Sequence, residues 1–153
     1  MKKVNDNFDE VVQRSAAGDK WRFKVLFDGE CPFCVAEMRW LASLNRNGLL
    51  ALEDIAAADF DPAKYGVTLE SLMGNIHGVY PDGSLTVGMQ TFRETYRAVG
   101  LGWLLAPTGW PILRPLFDIF YGLFARNRVR MGRLFGRNCA TDRCALPPAK
   151  PAK

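Results

Sequence analysis

The feature that most constrains this chain is a pair of cysteines, Cys31 and Cys34, that follows directly on an apolar run. Residues 21–27 alternate apolar and charged side chains and end in two apolar residues, which predicts a strand that becomes buried at its end. Residues 28–30 predict a turn. Pro32 favours the first position of a helix, because the N–H that proline lacks would be unpaired there. The sequence therefore predicts that Cys31 caps a helix that begins where a strand has just ended.

A cysteine at a helix N-cap has a predictable chemistry. Its sulfur faces the unpaired backbone N–H groups of the first turn, at the positive end of the helix dipole. We therefore expect the pKa of Cys31 to lie below the value of about 8.5 for an ordinary cysteine. We expect Cys34, one turn further on, to be more buried and to keep its proton. This arrangement suits thiol–disulfide exchange, in which Cys31 attacks a partner disulfide and Cys34 resolves the mixed disulfide.

The remaining pattern predicts a mixed α/β core. Residues 81–84, Pro-Asp-Gly-Ser, predict a hairpin turn, because proline presets one turn dihedral and glycine allows a positive φ. The predicted order is β-α-β-α-β-β-α with the dithiol at the first strand-to-helix junction, which is the thioredoxin-like arrangement. Asn47-Gly48 is predicted to end the first helix. The segments predicted after it are strand 49–52, helix 68–73, strands 76–80 and 85–87, and helix 89–99.

The length of 153 residues fits one compact domain with flanking segments. Residues 1–20 are polar and aperiodic and predict a flexible N-terminal arm or a short helix. Residues 21–100 form the predicted thioredoxin-like core, and residues 101–137 a helical extension packed on it. The proline-rich residues 138–153 predict a disordered tail.

The predicted extension combines aromatic and basic residues. Residues 101–153 contain 9 basic and 2 acidic side chains. We expect Phe117, Phe120 and Phe124, which recur at helical spacing, to pack across the sheet. The basic segment predicts at most a weak contact with an anionic surface. Because no recognised nucleic-acid-binding module is present, we expect no nucleic-acid partner.

Residues 27–34, Phe-Asp-Gly-Glu-Cys-Pro-Phe-Cys, resemble the signature of the DCC family of predicted thiol–disulfide oxidoreductases, named for one aspartate and two cysteines. Asp28, Cys31 and Cys34 match the signature position by position, and the resemblance runs from about Arg22 to Arg130. It implies a thioredoxin-like fold. Residues 74–76, Gly-Asn-Ile, stand where thioredoxins have a proline before the third strand.

Four other residues are candidates for supporting roles, each with a structural alternative. Asp28 is predicted either to carry the proton of Cys34 or to accept backbone N–H bonds in the turn. His77 is predicted either to stabilise the thiolate or carry protons, or to be a structural strand histidine. Cys139 and Cys144 are either a second relay pair or incidental exposed thiols.

The residues favour a thiol–disulfide oxidoreductase without a cofactor or metal, acting on a dithiol or disulfide protein or on a small thiol. We expect a cytoplasmic protein, because the first residues lack the apolar stretch of a secretory signal. The longest uncharged run, residues 98–113, is broken by prolines and predicts no transmembrane segment. The alternative is a non-enzymatic zinc-binding or interaction module, because Cys31, Cys34, Cys139 and Cys144 together would supply four thiolates.

Overall fold

The computed structural model describes residues 20–134, with side chains up to residue 127, together with Phe8, Glu10 and Val12. Over these residues four strands form one sheet in the order β2-β1-β3-β4. β1 pairs in parallel with β2 and antiparallel with β3, and β3 pairs antiparallel with β4. The strands are β1 Phe23–Phe27, β2 Leu50–Asp54, β3 His77–Val79 and β4 Leu85–Val87.

Helices connect and cover these strands. In chain order they are α1 Pro32–Leu44, α2 Leu69–Gly74, α3 Met89–Ala98, α4 Gly102–Leu105 and α5 Arg114–Leu134, with 3-10 turns at Pro62–Tyr65 and Ala106–Gly109. Thr68 caps α2, since its hydroxyl accepts a hydrogen bond from the N–H of Ser71. The predicted thioredoxin-like α/β fold is confirmed, with the elements in the predicted order.

The two faces of β1 pack against different helices, because successive side chains of a strand point to opposite faces. On one face the chain buries a cluster that includes α1: Phe23, Val25, Phe27, Met38, Leu41, Leu50 and Leu52. On the other face it buries a cluster that includes α2: Leu26, Ile55, Leu72, Met73 and Val79. The sheet therefore lies between two helical layers, and every residue of β1 and β3 is buried.

The strand predicted over residues 21–27 becomes buried earlier than expected, because all five residues of β1 are buried, Lys24 included. The ammonium of Lys24 lies 2.8 Å from Glu53 Oε2, and the Tyr65 hydroxyl donates to the same oxygen at 2.6 Å. Burial alone would raise the pKa of Glu53, but the hydrogen bonds from Lys24 and Tyr65 and the neighbouring positive charges together lower it. A charged residue is thus tolerated in the central strand because its partner lies on β2.

Arg93 joins the C-terminal helices to the core. It is buried on α3, and its Nε donates to Thr108 Oγ1 at 3.0 Å. Its Nη2 donates to the backbone carbonyl of Thr108 and lies 3.5 Å from Asp118 Oδ1. One guanidinium therefore links α3 to the 3-10 turn before α5 and to α5 itself.

The expectation that three aromatic residues of α5 pack across the sheet is wrong for two of them. Phe120 and Phe124 are exposed, whereas Phe117 is half-buried. At 3.6 residues per turn Phe120 lies about a quarter turn from Tyr121, whose ring packs against Phe92 of α3. Most of the predicted arm, residues 1–20, and all of the predicted tail, residues 138–153, lie outside the described residues. Within the described part of the chain, no helix combines the length and hydropathy needed to cross a bilayer.

Candidate active site

Cys31 is the N-cap of α1, as the sequence predicts, and Pro32 is the first residue of the helix. The backbone of Cys31 is extended (φ −86°, ψ 111°), which is typical of an N-cap. Its N–H donates to the carbonyl of Asp28 at 3.1 Å, and its carbonyl accepts from the N–H of Val35 at 3.0 Å. The turn after β1 therefore leads directly into α1 and fixes residue 31 at the N-terminus of this helix.

Asp54, at the end of β2, holds this turn in place. Its Oδ1 accepts hydrogen bonds of 2.8 Å from the backbone N–H groups of both Gly29 and Ala56. A Cβ added to Gly29 would overlap the Asp54 carboxylate, so the turn approaches β2 as closely as only glycine permits. Asp54 is not among the site residues predicted from the sequence. The available signal was an acidic residue two positions after the predicted strand 49–52.

Both cysteines line a cavity of about 280 Å³ at the N-terminal end of α1. Its walls come from α1, from the residue before β3, from α3 and from α5. Apart from the dithiol, the lining is mainly apolar, with Glu37 as its carboxylate: Phe33, Glu37, Met38, Ile76, Phe92, Tyr121, Phe124 and Ala125. A disulfide bound in this cavity would lie beside both Cys31 and Cys34.

The predicted burial order of the two cysteines is wrong. Cys31 is buried, with 5% of its surface exposed, whereas Cys34 is partly exposed. The prediction rested on the strand, turn and helix alone, whereas the cavity around the dithiol is also walled by α5, which lies beyond the predicted thioredoxin-like core. Cys31 therefore meets solvent through the cavity rather than on an open surface.

Tyr121 of α5 closes one side of the cavity. Its hydroxyl accepts a hydrogen bond of 2.9 Å from the backbone N–H of Ile76, and its ring packs edge-on against Phe92. Gly88 makes room for this ring: it has φ 67°, and an added Cβ would lie 3.1 Å from Tyr121 Cε1. The carbonyl of Ile76 accepts from the N–H of Gly88. Both backbone polar groups of Ile76, one of the three residues that stand where thioredoxins have a proline, are therefore hydrogen-bonded within the chain.

Glu37 is held by α3. The hydroxyl of Tyr96 donates to Glu37 Oε1 at 2.6 Å. Burial of Tyr96, together with this bond to a carboxylate, raises the pKa of the phenol well above its usual value. Tyr96 therefore stays protonated and serves as a hydrogen-bond donor to the cavity carboxylate. This pair was not predicted from the sequence, in which its members are 59 residues apart.

Asp28 is buried at the end of β1 and lies outside the set of residues that line the cavity. Its Oδ1 accepts a hydrogen bond of 3.0 Å from the N–H of Glu30, and its carbonyl accepts from Cys31. The turn-stabilising contact predicted for this aspartate is thus present. A role in proton transfer stays a prediction.

His77 is buried in β3 and is also absent from the cavity lining. Its Nδ1 lies 2.9 Å from the carbonyl of Asn75, which can only accept, so Nδ1 carries the proton. Its Nε2 lies 3.3 Å from Ser71 Oγ, which donates to it. Burial lowers the pKa of His77, against the smaller opposing effect of the bond to Asn75. These contacts match the structural alternative for this histidine.

Cys139 and Cys144 lie outside the described residues, so the relay pair and the four-cysteine zinc site both stay predictions. Among the residues that the structure describes, no group of three or more histidine, cysteine or acidic side chains is positioned to hold a metal ion.

Residues 25–134 match the sequence model of the DCC1-like thiol-disulfide oxidoreductase family. The chain belongs to this family. The matched region begins within β1 and ends at the last residue of α5, so the helices that wall the cavity are part of the family domain. Membership supports a general thiol–disulfide oxidoreductase role.

A curated relative gives no finer assignment. A protein of Arabidopsis thaliana, described as uncharacterized and chloroplastic, is 34% identical over 113 residues. The match covers 72% of this chain and 53% of the relative, so the chain spans about half the length of that protein. No solved structure matches the chain.

Proposed function

We propose that this protein exchanges disulfides through the Cys31–Cys34 dithiol, with Cys31 as the nucleophile and Cys34 as the resolving thiol. The observation that carries the proposal is the position of Cys31 as the N-cap of α1 within a cavity that Cys34 also lines. The N–H groups of the first helical turn favour a thiolate at residue 31, and the helix spacing keeps residue 34 beside it. The substrate is a disulfide of a protein or of a small thiol.

In the reductive direction, the Cys31 thiolate attacks one sulfur of the substrate disulfide. A mixed disulfide forms, and the other half of the substrate leaves as a thiolate. Cys34 then loses its proton and attacks the sulfur of Cys31. The Cys31–Cys34 disulfide forms, and the second half of the substrate leaves. The substrate gains two electrons and the dithiol loses two; the reverse sequence oxidises a substrate dithiol.

The proton of Cys34 needs an acceptor for the second step. We assign this role to Asp28, which directly follows β1 and precedes Cys31 by three residues. Glu37 is the competing carboxylate, since it lines the cavity and lies one helical turn after Cys34. In stopped-flow measurements, Asp28→Asn should slow the resolution step and leave the Cys31 attack rate unchanged. If Glu37→Gln slows resolution and Asp28→Asn does not, the proton passes to the cavity carboxylate and the assignment to Asp28 is wrong.

Cys139 and Cys144 would obscure thiol assays, so the main test uses a Cys139→Ser/Cys144→Ser background. The probe is 5,5′-dithiobis(2-nitrobenzoic acid), which releases a coloured thiolate at each exchange step. With both Cys31 and Cys34 present, both halves of the reagent should be released as the intramolecular disulfide forms. Cys34→Ser should release one half and keep the other as an adduct on Cys31, identified by mass spectrometry.

The matched variant Cys31→Ser should form an adduct at Cys34 far more slowly, since that thiol lacks the N-cap position. Equal adduct formation by the two single variants would overturn the assigned roles. Release of only one half of the reagent by the dithiol protein would show that the cysteines do not act as a pair.

The cytoplasmic location also stays a prediction, and the relative from Arabidopsis thaliana is described as chloroplastic.

A further inference from the structure

The C-terminal helices expose an unusual amount of apolar surface. Of the twelve large apolar side chains that are exposed in the described residues, nine lie between residues 103 and 124. We call these nine the apolar patch; each exposes between 41 and 88% of its surface, and they are Trp103, Leu104, Trp110, Ile112, Leu116, Ile119, Phe120, Leu123 and Phe124. Exposed apolar residues that are concentrated in one segment of the chain, rather than scattered singly over it, mark a surface that binds something.

Helix α5 is apolar on two opposite sides. On its inner side Tyr121 packs against Phe92 and bonds to Ile76. On its outer side Leu116, Ile119, Phe120 and Leu123 follow the spacing i, i+3, i+4, i+7, which forms one continuous stripe along a helix. The inner contacts attach α5 to the domain, so the outer stripe is left to contact a separate partner.

Charge identifies the kind of partner. Residues 101–153 carry 9 basic and 2 acidic side chains, and Arg114 and Arg126 are exposed on the helix that bears the stripe. Two copies of such a segment would repel each other, whereas an anionic surface would attract it. The patch also contains two exposed tryptophans, Trp103 and Trp110, a residue type favoured at the boundary between lipid and water.

We propose that the apolar patch docks on the surface of an anionic lipid bilayer, with α5 lying along the membrane plane. An exposed apolar stripe with basic residues on the same helix is typical of segments that insert one face at the headgroup level. Phe124 belongs both to the patch and to the wall of the dithiol cavity. Docking therefore brings the cavity beside the lipid surface. The binding itself needs no redox chemistry and is independent of the proposed function.

The test is flotation of the full chain with vesicles of equimolar phosphatidylcholine and phosphatidylglycerol. The protein should float with these vesicles and not with vesicles of phosphatidylcholine alone. Ile119→Glu/Leu123→Glu, which places two acids in the outer stripe, should weaken binding by at least about tenfold. The matched control is Leu85→Glu/Val87→Glu, which changes two exposed apolar residues of β4 outside the patch and should leave binding unchanged. Circular dichroism establishes that both variants fold.

Three results would overturn the proposal. The first is failure of the unmodified protein to float with anionic vesicles. The second is equal binding by the Ile119→Glu/Leu123→Glu variant and the control. The third is a dimer, seen by sedimentation velocity, that this variant abolishes, because the patch would then be an interface between two copies of the chain.

Discussion

The hydroxyl of Tyr121 accepts a hydrogen bond of 2.9 Å from the backbone N–H of Ile76, so α5 occupies a backbone donor beside the dithiol. An extended peptide that bound in the cavity would need such a donor for its own carbonyl oxygen. A small disulfide without a peptide backbone would not. This single contact therefore bears on which disulfides the cavity admits.

Tyr121→Phe removes the hydroxyl and keeps the ring against Phe92 and Gly88. We expect kcat/KM for a disulfide-linked peptide to rise about fivefold relative to hydroxyethyl disulfide, the factor equivalent to one net hydrogen bond of about 1 kcal/mol. Unfolding free energy should fall by about 1–2 kcal/mol, since the Ile76 N–H loses its partner. Both are measured on the purified variant, by steady-state kinetics and urea denaturation.

Tyr65→Phe is the control for this prediction. It also removes a hydroxyl that bonds within the chain, at Glu53, but this residue is not part of the dithiol cavity. The Tyr65→Phe variant should be less stable than the unmodified protein. Its ratio of kcat/KM for the disulfide-linked peptide to kcat/KM for hydroxyethyl disulfide should be unchanged. A Tyr121→Phe variant with an unchanged ratio would show that the Ile76 N–H does not take part in substrate selection.

Asp54→Ala should loosen the turn that leads into Cys31. Two backbone N–H groups, of Gly29 and Ala56, lose their acceptor, so we expect the unfolding free energy to fall by about 2–3 kcal/mol. The rate of adduct formation at Cys31 should fall as well, because residue 31 is no longer fixed at the helix mouth. Asp59→Ala, an exposed acid shortly after β2, should change neither quantity.

A double-mutant cycle makes the Asp54 prediction sharper. Gly29→Ala should destabilise the protein because the new methyl group overlaps the Asp54 carboxylate. In the Asp54→Ala background the same change should cost less, since the carboxylate is gone. Strictly additive effects of the two substitutions would contradict the close approach on which the turn depends.

The local parts of this site were predictable from sequence. Pro32 after Cys31 indicated the helix start, and the residues 81–84 indicated the hairpin, because in both cases neighbouring residues determine the backbone. The order of elements followed from the order of two patterns along the chain: short apolar runs, which predict strands, and apolar residues at helical spacing, which predict helices. These local signals were sufficient for the fold class and for the position of the dithiol.

The long-range parts were not predictable. The burial of Lys24 depends on Glu53, 29 residues away on the neighbouring strand. The cavity wall depends on Tyr121, 45 residues from its partner Ile76. Helix α5 carries apolar residues on both sides, so periodicity could not say that Tyr121 would face the domain and Phe120 the solvent. The burial order of the cysteines was not predictable either, because residues of the same helix line the cavity around both of them.

Arg93→Met should detach the C-terminal helices from α3. The substitution removes the hydrogen bonds to Thr108 and the ion pair with Asp118, and it leaves buried acceptors unpaired. We expect a loss of about 2–3 kcal/mol in unfolding free energy and faster amide hydrogen exchange over residues 106–127. Arg97→Ala is the matched control on the same helix.

Arg97 is 69% exposed, and its ion pair with Glu94 is of the kind that contributes less than about 1 kcal/mol. Its replacement should leave hydrogen exchange in residues 106–127 unchanged. If the two arginine variants have the same effect on exchange there, Arg93 is not the link between the core and the extension.

Lowering the pH should destabilise the protein through His77. Burial lowers the pKa of this histidine in the folded state below its ordinary value of 6.5, so the unfolded chain binds the proton first. The contribution of His77 to the unfolding free energy is therefore fully present above pH 6.5 and is lost as the pH falls below it, with a slope of at most about 1.4 kcal/mol per pH unit.

The chain contains one histidine, so this slope can be assigned to a single side chain. Urea denaturation at a series of pH values from about 7.5 to 5.5 measures it. His77→Gln should flatten the profile over this range, and a variant whose stability still falls with the original slope would show that another group is responsible.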